Sequence, residues 1–233
     1  MSHILPAFAF RWLRDTSANA YLRSVSMPNR RIQDGLKRHW LCATCEGQFG
    51  RSESAFAENV FYPYLADSSG KFQYSRWLLY FCTSLSWRVL KYLTGEPYFE
   101  KWEPEEKLLV AKAEAAWRAV LLGEEPHPGV YRQHILPLDA IANTPIAFPP
   151  NINRYLMRAI DMDLCRGERT IFVYSKLGRF VIIGIVSEDN ANHWRGTKVH
   201  ANGGTVQPRT YGIPLKFMNY IKEKAGRVFE SLG

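Results

Sequence analysis

The chain lacks several signatures that would fix its class at once. It has no Gly-rich phosphate loop and no Gly-x-Ser-x-Gly, which removes the commonest nucleotide-cradling and serine-hydrolase patterns. It has no internal repeat and no low-complexity tract, so neither a solenoid nor a disordered tail is expected. Cysteine is scarce: there are four, and only Cys42 and Cys45 are clustered. That count and spacing do not make a disulfide framework. Cys82 lies in an apolar stretch and reads as a small buried hydrophobe. A membrane span needs about 20 predominantly apolar residues. The most apolar stretch, 75–94, carries Arg76, Arg88 and Lys91, so it reads as a core helix and no membrane partner is expected. No secretory leader is seen, which predicts a cytoplasmic protein.

Acid is scarce at the N-terminus. Residues 1–51 hold eight Lys/Arg against three acids, Asp15, Asp34 and Glu46, which is +5 of the chain's net +8. With a pI of about 9.3, this favours a polyanionic partner, nucleic acid above all. The blander account of the same charges is a solvated basic face. The 233 residues are 46% hydrophobic and 14% aromatic, a globular composition with enough length for a sizeable core.

The layout reads as an α+β protein in three segments. In the first, 1–62, Phe8, Trp12 and Leu13 lie on one face of a short helix, and 15–36 is irregular. A short apolar strand follows at 39–41. A helix then carries Phe49, Phe56, Val60 and Phe61, and Pro63 stops it. The second segment, 63–125, holds two long helices that pair as a hairpin: 75–94, with Ser75 as its cap, and 105–122, with Pro104 at its first position and Gly123 at its end. The third, 126–233, is an antiparallel β-rich subdomain with a closing helix. Six prolines in 124–150 mark a linker or irregular crossing. A short helix is expected over 151–160, with Asp161 and Asp163 at its end. Residues 170–174 and 180–186 form a hairpin through Gly178. Asn202-Gly203 predicts a second hairpin between 194–199 and 205–211. Trp194 reads as an anchored surface residue or part of a binding loop, and the last helix begins near Pro214.

Chemically able residues crowd in Asp34-Gly-Leu-Lys-Arg-His-Trp-Leu-Cys42-Ala-Thr-Cys45-Glu46. Two thiols separated by two residues aim at one point and can hold half of a zinc site, which needs four ligands. The alternative is two reduced thiols at a strand end. Glu46 falls in the first turn of the following helix.

His3-Ile-Leu-Pro6, followed by Trp40-Leu-Cys42-Ala-Thr-Cys45-Glu46, resembles the HNH (ββα-metal) nuclease pattern over residues 2 to about 60. It also resembles a group of uncharacterised bacterial proteins in which an upstream Cys-x-x-Cys completes a four-cysteine zinc site; that pair is missing here. The resemblance implies His3 as general base, Asp34 as its orienter or as a cation ligand, and Glu46 as a ligand for catalytic Mg²⁺ or Mn²⁺. It implies structural Zn²⁺ on Cys42 and Cys45, with Arg30, Arg31, Lys37 and Arg38 on the phosphate backbone of DNA. By analogy with HNH proteins in general, it implies a part in bacterial defence. Hydrolysis of a phosphodiester needs a base for water and a cation for the scissile phosphate. Two departures stand out. Ser2 sits where many HNH members place a metal-binding His or Asp, and Glu46 replaces the usual His after the second Cys. The alternative is a non-catalytic scaffold subunit that docks nucleic acid or a partner protein.

Overall fold

A computed structural model describes residues 2–18, 22–24, 27–32, 34–141, 147–167, 169–190, 194–207 and 215–232. The fold is α+β. Its C-terminal half holds a four-stranded antiparallel sheet in the order β6-β9-β8-β7, built from β6 (Gln133–Pro137), β7 (Ile160–Arg166), β8 (Ile171–Leu177) and β9 (Phe180–Ser187). β8 and β9 are β-branched and aromatic runs buried on both faces, which is why they read as unbroken apolar stretches. Gly178 joins them in the left-handed region, φ 55°, against the Trp12 ring.

Alternation along the strands sorts the core into two layers. Val173, Ile182 and Val186 face α4 (Arg76–Leu93) and α5 (Pro104–Leu122). Tyr174, Ile183 and Ile185 face the other way, toward α6 (Ile152–Arg158) and the closing helix α7 (Leu215–Leu232). The long helices form where periodicity placed them, although Ser75, at the N-cap position of α4, makes no side-chain capping bond. α5 starts with Pro104 at its first position inside a capping box of Glu103 and Glu106, and it ends on Gly123 with φ 78°. α4 packs on α5 and lies across the sheet. Among the described residues no helix is long and apolar enough to cross a membrane. One apolar core runs from Ile4 and Phe8 through Phe56, Leu85 and Trp117 to Ile182, so residues of all three segments share it.

Helix and sheet approach closely at Gly184. A Cβ there would lie 2.6 Å from Ser86 Oγ and 2.9 Å from Trp117 Cη2. Gly184→Ala is expected to lower stability by about 1–3 kcal/mol, the usual cost of overpacking a filled core. A fall in the denaturant midpoint at unchanged slope would show it.

Several expectations are corrected. The strand expected at 39–41 is β4, at Lys37–Arg38. The irregular 15–36 contains an antiparallel pair, β2 (Leu22–Ser24) with β3 (Met27–Ile32). Pro63 does not stop its helix. α2 (Ala43–Phe56) widens into a π segment, Ala57–Phe61, in which Tyr62 N–H reaches back to Ala57 C=O, and α3 (Tyr62–Ala66) continues from it. The wide turn takes up the proline where a regular turn would lose a bond. The proline-rich 124–150 contains β6, the edge of the main sheet. Asp161 and Asp163 lie in β7, where Lys224 Nζ meets their carboxylates at 3.4 and 2.7 Å. Among the described residues, which leave out 208–211, the Asn202-Gly203 turn does not pair its flanks with each other. It delivers β10 (Gly204–Val206) to β5 (Phe72–Tyr74). Trp194 is not a surface residue: only 2% exposed, it packs edge-on against Phe217.

Candidate functional site

The N-terminal residues build a small two-strand-and-helix unit. β1 (Ser2–His3) pairs antiparallel with β4, Ser2 opposite Arg38 and His3 opposite Lys37. α2 then begins directly after Cys42, which occupies its N-cap position with extended backbone. The unit is held to the body by Arg88 of α4. This side chain is only 3% exposed; it donates from Nη1 to the His3 carbonyl at 2.8 Å and from Nε to the Ser84 carbonyl at 3.2 Å. Its Nη2 forms an ion pair with Glu53 of α2 at 2.6 Å, and the guanidinium lies over the Phe49 ring.

Successive residues of a strand project to opposite sides, and Ser2 and His3 have different partners accordingly. His3 Nε2 lies 2.8 Å from Asp34 Oδ1, and Lys37 Nζ lies 2.6 Å from Asp34 Oδ2. Partial burial raises the Asp34 pKa, but bonds from Lys37, His3 and the Gly35 N–H outweigh it and hold the carboxyl at about 2. An ionised Asp34 accepts the Nε2 proton, which leaves Nδ1 of a neutral His3 as the nitrogen able to take up a proton. On the other side, Ser2 Oγ donates to Glu46 Oε1, and this bond lowers the Glu46 pKa first among its causes.

The expected site residues therefore fall into two groups. His3 and Asp34 come together, with Lys37. Glu46 is beside Ser2. On α2, the positions one turn beyond Glu46 are Phe49 and Gly50, neither of which offers a donor atom to a metal. Cys42 is exposed and Cys45 half-buried. The Cys45 N–H, then the Cys45 thiol, lower the Cys42 pKa, while the bond to Cys42 raises that of Cys45. Arg38 is exposed and its guanidinium lies over Tyr92. The side chains of Arg30 and Arg31 lie outside the described residues; their backbone is in β3.

This donor set does not fit the implied metals. Zinc needs four ligands, and among the described residues no group of three or more His, Cys, Asp or Glu is placed to hold a cation. A hard cation is usually held by one or two carboxylates with substrate oxygens and water. Here one carboxylate, Glu46, is bonded to a hydroxyl, and the other, Asp34, is bonded to Lys37 and His3.

Sequence reasoning missed Arg88 and Ser2 as working parts. Arg88 did carry a signal, since a cation inside an apolar helix must find partners when buried. Ser2 stood out only as a departure from the HNH pattern, and nothing local showed that its hydroxyl would meet Glu46, 44 residues away. No family model matches the chain, and no curated protein or solved structure matches it.

Proposed function

We propose that the chain binds nucleic acid, DNA first, through its basic N-terminal unit without hydrolysing it. A strand pair followed by a helix supports reading the unit as an HNH-like ββα element in which the position of the metal is closed. The observation that carries this reading is the hydrogen bond from Ser2 to Glu46. It ties the first-turn carboxylate of the helix to the strand beside it, Phe49 and Gly50 supply no further ligand, and the helix's other carboxylate, Glu53, is paired with Arg88. The charges support the binding half of the reading. Asp15 is bonded to Arg14, Asp34 to Lys37 and His3, and Glu46 to Ser2. The acids of this region are thus engaged, and Arg38 is presented to solvent beside exposed His39 and Trp40.

A second reading keeps hydrolysis, and the His3–Asp34 pair favours it. A base must be oriented by a partner, and this imidazole is.

Fluorescence anisotropy with a duplex oligonucleotide tests the binding. Four phosphate contacts, from Arg30, Arg31, Lys37 and Arg38, predict an affinity that falls about a hundredfold between 50 and 200 mM salt, and a nearly flat response when all four are changed to Gln. Plasmid incubation with Mg²⁺ or Mn²⁺ separates the two readings. No nicking is expected. Metal-dependent nicking abolished by both His3→Ala and Glu46→Ala would establish the hydrolytic reading instead. Absence of any DNA binding would overturn both and leave a protein partner for the exposed Leu36 and Trp40.

A further inference from the structure

A cavity of about 220 Å³ opens at the far edge of the sheet, between residues 127–133 and 198–201. Residues 197–199 run beside β6 as a short added edge: Ile135 N–H bonds to the Thr197 carbonyl and Val199 N–H to the Gln133 carbonyl. Arg132, Lys198, His127 and His200 contribute to its walls, and none of its lining residues is acidic. Arg132 is paired with Glu188, a mostly buried carboxylate outside the lining, which fixes that guanidinium at the rim. Lys198 and both imidazoles remain exposed. Apart from Gln133, the rest of the wall, Leu79 and Val199 included, is apolar. The basic character of the place is felt by a neighbour: after burial, the charges of Arg132, Lys198 and His200 are the causes that lower the His134 pKa.

This combination selects a ligand class. An exposed lysine and two exposed imidazoles, beside an arginine held at the rim and with no acidic residue in the lining, fit an anion with several acceptor oxygens. A phosphate monoester carries close to two charges and three such oxygens at neutral pH. The apolar wall fits the body of an ester rather than a free, fully hydrated ion. The volume lies below the 300–1,000 Å³ usual for whole drug-sized ligands, so the cavity accepts a terminal phosphate and the ring next to it. We propose that this cavity is a binding site for the terminal phosphate of an organic phosphomonoester, with Lys198, His127 and His200 around the phosphate and the Leu79–Val199 wall against the ring. The site is separate from the N-terminal unit and does not depend on how that unit acts.

Isothermal titration of the full chain with 5′-AMP tests it, with adenosine and inorganic phosphate as controls. Lys198→Gln and His200→Gln change exposed side chains, and unchanged melting would confirm that both variants fold. Expected are binding of 5′-AMP in the millimolar range or tighter, a Kd raised about tenfold or more by Lys198→Gln, a further rise in the double variant, and no binding of adenosine. Three results would overturn the proposal: no heat at about ten times that concentration, affinity unchanged in the double variant, or inorganic phosphate binding as tightly as the ester.

Discussion

Arg88→Met is expected to be among the most damaging single substitutions in the molecule. Arg88 is one buried cation holding three pieces of chain: β1 through the His3 carbonyl, α2 through Glu53, and its own helix through the Ser84 carbonyl. Methionine keeps most of the stem and its packing against Phe49. What it removes is the charge, and the Glu53 carboxylate, whose side chain is 18% exposed, then loses its cation. Removing one partner of a buried pair costs about 3–5 kcal/mol, because the other is left uncompensated. In a domain of this length a loss of that size lowers Tm on the order of 10 °C. Differential scanning calorimetry checks it, and a second variant isolates the cause. Arg88→Met with Glu53→Gln should recover part of the loss, since no bare charge then remains; additive losses in the double variant would place the damage in packing. The substitution also bears on the site. Without Arg88 the His3 carbonyl loses its donor, so β1 is free to leave β4, and DNA affinity should fall even at temperatures where the body stays folded.

What could be read from the sequence, and what could not, follows the range of the interactions involved. α4 and α5 were legible because a helix of 18 or 19 residues repeats its apolar face several times and carries its own end signals, Ser75, Pro104 and Gly123. β8 and β9 were legible because both faces are buried, so the run is apolar throughout. β6 was hidden by the prolines around it, although Pro137 merely ends the strand at a sheet edge, where a missing N–H does little harm. β7 was hidden by Asp161 and Asp163. Two acids look solvated until Lys224 appears beside them, and it lies 61 residues further on. The same limit governed the site. The run from Asp34 to Glu46 stood out because its residues are neighbours in the chain. That Ser2 closes on Glu46 and Arg88 on His3 follows from packing alone, across 44 and 85 residues. Local chemistry was visible; which half of it would be engaged was not.

Mild acid is expected to destabilise the protein through one residue, His134. Its Nδ1 lies 2.9 Å from Thr197 Oγ1, and the Thr197 hydroxyl donates to the Trp194 carbonyl at 2.6 Å. A hydroxyl has one hydrogen, so Nδ1 must be the donor to it, and Nε2 is the bare nitrogen. Among the described residues Nε2 is buried without a hydrogen-bond partner. Protonation would place a charge there with no acceptor beside it. Burial, reinforced by Arg132, Lys198 and His200, accordingly holds the pKa at about 3, against 6.5 for an ordinary histidine. The sign follows directly. Between those two values the unfolded chain binds a proton that the folded chain refuses, so stability is whole above pH 6.5 and declines as pH falls toward 3.

Each unit of that interval is worth about 1.4 kcal/mol, so the loss reaches about 3 kcal/mol by pH 4.5. Against a typical total of about 5–15 kcal/mol this is a large share. Denaturant melts of the wild type and of His134→Gln, at pH 7.5 and 4.5, measure it as a difference, so that groups common to both cancel. The variant starts less stable, because its amide replaces a ring packed against Trp194, yet it should lose about 3 kcal/mol less across the window. Parallel losses in the two proteins would mean that folded His134 does take up its proton, and that an acceptor closes on Nε2 as the solution is acidified. In the absence of such an acceptor, the buried ring sets the acid limit of the sheet edge that also forms the wall of the basic cavity.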